Sequence, residues 1–262
     1  MRRGLSQHGY RSSGNFFSPA SLFVNGEQGA WYDPSDLTTL FQDSAGTTPV
    51  TAVEQPVGRM LDKSGRGNHA TQSTSTSRPV LRQDGNGKYY LAFDGIDDSL
   101  LTNSVDFTAT DKMTVWAGVR KLSDAATGTV VDFNGVAGTN AFMIRAPSGA
   151  ANNYVWYSGG SLSFTGAIAS SFVAPITNVL TGIGDIANDG QILRVNAVQA
   201  ASSTADQGTG NYGNYPIYIG RRGGASLPFN GNLYSLIIRG AQSTDSQISA
   251  TESWVNGKTG AY

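Results

Sequence analysis

From Ala30 onward the chain is a succession of short apolar runs broken by Gly, Asn, Asp and Ser. In Met113–Arg120, Val115, Ala117 and Val119 alternate with Thr114, Trp116 and Arg120, which predicts a half-buried strand. Ala30-Trp31-Tyr32, Val57–Leu61 and Tyr89–Phe93 read as earlier strands, with Asp94-Gly95 as a turn. Later strands are expected at 128–133, 141–146, 153–157, 162–165, 177–186, 191–198, 216–220 and 231–239. Asn188-Asp189-Gly190, set between two such runs, is a hairpin signal. Many short strands at this spacing predict a sandwich or barrel.

Helical signals are few. Asp33-Pro34-Ser35-Asp36 opens a helical turn toward Phe41, because a proline's missing N–H costs nothing at the first helical position. Thr244 followed by Gln247 forms a capping box for a closing helix with Ile248, Thr251 and Val255 on one face and Gly257 as its expected cap.

Composition supports an all-β reading. Charged residues are only 14 %, Gly is 33 of 262, and Glu occurs only at Glu27, Glu54 and Glu252. A single β domain accommodates this length. Cysteine is absent, which excludes disulfides and cysteine-based zinc sites. Net charge is −1, so no strong field draws the chain to nucleic acid or anionic lipid. No apolar run of 18 residues exists, and Met1-Arg2-Arg3 is not followed by a signal-peptide core, so a soluble protein is expected.

Residues 1–28 differ from the rest. Arg2, Arg3, His8 and Arg11 make this part basic, and Phe16, Phe17, Leu22 and Phe23 are apolar points on a polar string. The reading is an extended arm, residues 1–28, that docks on a partner through Arg2, Arg3, Arg11, Phe16, Phe17 and Phe23, ahead of one domain at 29–262.

Three segments in order carry a resemblance. They are Asp62-Lys63-Ser64-Gly65-Arg66-Gly67-Asn68-His69-Ala70, Leu91-Ala92-Phe93-Asp94-Gly95-Ile96-Asp97-Asp98, and Gly231-Asn232-Leu233-Tyr234-Ser235-Leu236-Ile237-Ile238 with the helix at 245–256. Together they resemble the laminin-G-like, concanavalin A-like jelly rolls over about residues 30–260, which implies an antiparallel β-sandwich with one C-terminal helix. The stretch from Trp31 to Val50 is similar to a subset found in tailed-phage and prophage structural proteins. That likeness implies a virion protein anchored by its arm to other virion proteins, in a symmetric array, with the jelly roll on the particle surface as decoration or tail-fibre adhesin.

Candidate chemistry is sparse. Glycosidases need two carboxyls about 5–9.5 Å apart, and the three Glu are scattered over arm, loop and helix, so a non-enzymatic module is expected, with a glycoside hydrolase or carbohydrate-binding module on host polysaccharide as the alternative. His69 sits in a Gly-rich loop that it is expected to cap. Gly208–Gly213 matches G-x-G-x-x-G but lacks the following helix that a phosphate site requires. Exposed aromatics that could meet a glycan are Tyr212, Tyr215, Tyr218 and Tyr154, while Trp116 and Trp156 are expected to be core. No cofactor is implied except a candidate calcium ion at Asp62, Asp94, Asp97 and Asp98, whose loops some relatives of the fold use for one.

Overall fold

A computed structural model describes residues 17–135, 138–162 and 164–262. The early strands are β1 (Gly29–Tyr32), β2 (Leu40–Phe41), β3 (Arg59–Met60), β4 (Ala70–Thr71), β5 (Val80–Gln83), β6 (Tyr89–Asp94), β7 (Leu100–Asp106) and β8 (Lys112–Lys121). They are followed by β9 (Thr129–Phe133), β10 (Ala141–Arg145), β11 (Tyr154–Gly159), β12 (Thr165–Ala169), β13 (Ile176–Asp185) and β14 (Gly190–Val195). The last are β15 (Val198–Ser203), β16 (Asn214–Ile219) and β17 (Asn230–Arg239), and the helix α1 (Asp245–Thr259) closes the chain.

The strands form two antiparallel sheets packed as a sandwich. One has the order β15-β14-β13-β8-β17-β6-β5, with β1 also paired to β17; the other runs β12-β11-β10-β9-β16-β7-β4-β3-β2. Between them lies the main core, including Phe93, Val115, Val131, Phe133, Phe142, Trp156, Leu180 and Leu236. Gly182 belongs to this fit: a Cβ there would stand 2.3 Å from Trp156 Cε3, so the bare backbone lets the indole lie across β13. The indole N–H then donates to Ile183 O at 3.0 Å.

A second apolar cluster lies outside the first sheet. Leu22, Phe23, Trp31, Trp116, Val179, Ile237, Ile248 and Val255 form it, with Phe17 and Trp254 at its edge. The first sheet is therefore covered on both faces, by the other sheet and by α1 with the N-terminal segment. This revises the half-buried expectation for β8. Val115, Ala117 and Val119 enter the main core as the alternation requires, but Trp116 is just as buried, under the helix. A Cβ at Gly118 would sit 2.6 Å from Thr259 Cγ2, which shows how closely α1 approaches.

The boundary at residue 28 is corrected as well. Pro19–Phe23 forms a 3₁₀ turn whose cap Ser18 accepts the Ala20 N–H, and Leu22 and Phe23 are 0 % and 3 % exposed. Arg239, itself buried, holds this turn in place. It donates to Leu22 O at 2.8 Å and Glu27 Oε1 at 2.7 Å, and also to Gln242 O. Phe17 and Phe23 thus pack on their own domain, where apolar burial favours them, and are not offered to a partner. Arg2, Arg3, Arg11 and Phe16 lie outside the described residues.

The capping box at Thr244 and Gln247 is present. The helix passes through Gly257 and ends at Gly260, whose φ of 61° is the left-handed cap. The extra turn is anchored by Lys258 Nζ, which donates to Asp33 Oδ2 at 3.1 Å and Ser35 Oγ at 2.7 Å. The predicted turn before Phe41 is a short 3₁₀ element, Leu37–Thr39.

Candidate ligand-binding face

Among the described residues, α1 and residues 17–28 cover one sheet and leave the outer face of the other uncovered, although Asp132 and Met143 on that face are themselves buried. Its strand register builds one continuous row. Arg59 pairs with Thr71, Thr71 with Leu101, Leu101 with Tyr218, Tyr218 with Asp132, Asp132 with Met143, Met143 with Tyr157, and Tyr157 with Gly166. Alternate residues of a strand point to opposite faces. The sequence neighbours Met60, Ala70, Leu100, Ile217, Val131, Phe142, Trp156 and Ala167 all enter the core, so the row itself points outward.

Tyr157 and Tyr218 are the half-buried rings of this face. Gly166 makes room for Tyr157, since a Cβ there would be 2.9 Å from its Cε1. The Arg145 guanidinium lies 4.9 Å from the Tyr157 ring centre, and its Nη1 donates to Ser148 Oγ at 3.4 Å. Ser148 Oγ also shares a 3.2 Å hydrogen bond with Tyr157 Oη. These contacts fix an aromatic plate beside a cation, an arrangement suited to the apolar face and hydroxyls of a sugar.

At the centre is Asp132, 0 % exposed. Gly223 N–H donates to its Oδ2 at 3.1 Å, while Oδ1 has no partner among the described residues. Burial pushes its carboxyl up to about 6, against the pull of the Gly223 N–H and of Arg222 and Arg145. Asp98 is likewise raised to about 6, by burial and by Asp94 and Asp97. A raised carboxyl binds its proton more tightly in the folded state, so its stabilisation is complete below the ordinary value near 3.8 and is lost as pH rises through about 6. We expect Asp132→Asn to be more stable than wild type at pH 8 by about 1–3 kcal/mol and to show a smaller fall in stability between pH 4 and 6, a fall to which Asp98 adds and which the lowered His69 opposes. Urea melts across that range check this, and an unchanged slope would contradict it.

The sequence-nominated tyrosines divide. Tyr218 stands in the row. Tyr215 is half-buried, its ring edge-on to Phe133 at 5.5 Å. Tyr212 and Tyr154 are corrected: both are buried, the first bonded to Ser158 Oγ at 2.7 Å and the second to Asn178 Oδ1 at 2.8 Å, so neither can meet a glycan. Burial holds both phenols well above the usual range. Tyr157 was not nominated, although alternation already places it opposite Tyr154 and Trp156. Trp156 and Trp116 are core as expected.

The acidic candidates also divide. Asp94, Asp97 and Asp98 bring carboxylate oxygens within 4.8 Å of one another, the donor type calcium takes. Much of that capacity is used internally, Asp94 Oδ1 accepting from Ile96 N–H at 2.7 Å and Asp97 Oδ2 from Ser77 Oγ at 2.7 Å. Asp62 is not in the cluster and is corrected. Its carboxylate accepts Trp31 N–H, Ser64 N–H, Ser64 Oγ and Asn68 N–H at 2.7–3.0 Å, which organises its own loop and leaves no free ligand site. His69 caps that loop as expected, its Nδ1 accepting the Asp62 N–H at 3.0 Å.

The three Glu are all in ion pairs, Glu27 with Arg239, Glu54 with Arg82 and Glu252 with Arg194. Asp132 is the single carboxylate of the row, whereas glycoside hydrolysis by acid and base needs two. Gly208–Gly213 is a loop leading into β16, not into a helix.

No family model matches the chain, and no curated protein matches it by sequence. Among solved structures it is similar to botulinum neurotoxin type C, whose cell entry depends on interaction with two ganglioside molecules, with TM-score 0.59 and 11 % identity over 91 % of this chain and 53 % of that one. It is also similar to the botulinum neurotoxin DC binding domain solved in complex with SialylT, with TM-score 0.55 and 12 % identity over 75 % and 48 %. The same binding domain in complex with rat synaptotagmin II gives TM-score 0.54 and 13 % identity over 75 % and 49 %. The chain spans about half the length of these structures. At such identity the likeness establishes the jelly-roll β-sandwich and nothing finer. These neighbours are binding domains.

Proposed function

We propose that this chain is a non-enzymatic binding module of a bacteriophage virion, displayed on the particle surface, whose open sheet face engages glycan on the host. The observation that carries the binding reading is the outward row, with Tyr157 and Tyr218 flanking Asp132 and Arg145 packed on Tyr157, on a sheet face that neither α1 nor residues 17–28 cover. Neighbours that engage a ganglioside or SialylT support a glycan as ligand. The virion assignment rests on the resemblance carried by Trp31–Val50. In this reading residues 1–16 supply the anchor to other virion proteins, in a symmetric array, because residues 17–28 are spent on the domain itself.

The test is binding of the chain to host cells and to immobilised host-surface glycans. Wild type is expected to bind saturably. Tyr218→Ala and Tyr157→Ala should each weaken binding at least tenfold, because the ring on which a sugar's apolar face packs is lost without disturbing the core. Their melting temperatures should stay near wild type. Release of reducing ends would contradict the non-enzymatic reading. Incorporation into particles with no host binding would make the chain a decoration protein and end the glycan reading.

A further inference from the structure

One end of the row opens into a cavity of about 210 Å³ lined by Arg59, Gly67, Asn68, His69, Thr71 and Asn103. It is smaller than the roughly 300–1,000 Å³ of drug-sized pockets, so it suits one sugar ring or its charged end. Its lining contains a cation and several donors and no acid. Arg59 spends Nη1 on Ala45 O at 3.0 Å. His69 Nδ1 accepts the Asp62 N–H, so a neutral imidazole carries its proton on Nε2 and acts there as a donor. Asp62, whose charge His69 feels, is buried and its oxygens are engaged by Trp31, Ser64 and Asn68. The charge bias extends along the face, where Arg145 and Arg222 act on the buried Asp132 in a chain whose net charge is only −1.

We infer that this pocket is an anionic subsite of the glycan face, selecting a sugar that bears a carboxylate, with Arg59 as its cation and His69, Thr71 and Asn103 as neutral partners. The inference rests on the glycan reading and adds the charge of the ligand to it. A guanidinium facing a carboxylate is a strong, directional pair, and a neutral sugar in the same place would leave Arg59 without its counter-charge.

The test follows the His69 imidazole resonance in the full chain while glucuronate, glucose or sodium chloride is added at matched ionic strength. A host-glycan oligosaccharide is titrated in parallel against the ring resonances of Tyr157 and Tyr218. Saturable shifts at His69 with glucuronate are expected, at least tenfold weaker with glucose and absent with chloride. Arg59→Gln should abolish them. Asn103→Asp, at an exposed strand position where folding is not at stake, should abolish them too by placing a like charge in the pocket. Equal response to glucose and glucuronate, or full glucuronate binding by Asn103→Asp, would overturn the anionic subsite while the glycan face stood. A response at the tyrosines with none at His69 would show that the pocket is not part of the site. Silence at all three side chains with every sugar would remove the glycan reading itself.

Discussion

Deleting residues 1–28 is expected to cost on the order of 5 kcal/mol of stability, whereas deleting only residues 1–16 should leave the fold intact. The larger deletion removes Leu22 and Phe23, which are almost wholly buried against Trp31, Trp116 and Ile237. Each such side chain contributes about 1.5–3 kcal/mol on burial. The deletion also strips Leu22 O and Glu27 from Arg239, leaving a guanidinium only 5 % exposed with part of its donors unpaired. A buried charge that loses its partner is costly. Against a usual total of 5–15 kcal/mol, the larger deletion places the protein near the edge of folding. Chemical melts of the two truncations decide the matter. Equal stability would mean that the 3₁₀ turn is an attachment and not part of the domain. The shorter truncation is also the right variant for testing particle anchoring, because loss of incorporation would then not be confused with unfolding.

The second large effect belongs to Glu252. It reaches from α1 to the first sheet and is 1 % exposed. Arg194 grips it through two bonds, Nε to Oε1 at 2.8 Å and Nη2 to Oε2 at 3.0 Å, and Thr181 Oγ1 donates to Oε1 at 2.8 Å. The carboxylate in turn holds the Arg194 guanidinium above its ordinary value. Glu252→Ala is expected to destabilise by about 3 kcal/mol, because the partly buried arginine and the fully buried threonine lose their acceptor. The double variant Glu252→Leu with Arg194→Met should recover most of that loss, since a well-packed apolar pair can replace a buried ion pair at little cost. If the double variant is no better than Glu252→Ala, the loss came from helix packing and not from the stranded charge.

The strands with long apolar runs were legible. β8, β10, β13 and β17 combine long apolar runs with flanking turn residues, and the Thr244–Gln247 cap marked the helix. β7 was missed because its inward positions are Leu100, Thr102 and Val105, a polar residue interrupting the pattern and the spacing slipping by one. β2, β3 and β4 have two residues each, too few to show a period. The second apolar layer was missed in part because Leu22 and Phe23 come from a segment with no period of its own.

The site was less legible than the fold, for a related reason. Alternation marks Tyr157 and Tyr218 as outward, yet their place in one row with Asp132 and Arg59 follows from pairings across strands distant in sequence. Tyr212 and Tyr154 stood near turns and read as surface rings. Their hydroxyls instead find Ser158 and Asn178 inside, which removes the penalty for burying a phenol.

The central claim is that ligand binds the open sheet face. Backbone amide hydrogen exchange, measured on the full chain with and without a host-surface oligosaccharide, tests it most directly. Added protection concentrated in β9, β16 and the 220–226 loop, with α1 and β14 unchanged, is the predicted result. Protection confined to α1 or the 94–98 loop, or none at saturating oligosaccharide, would contradict it.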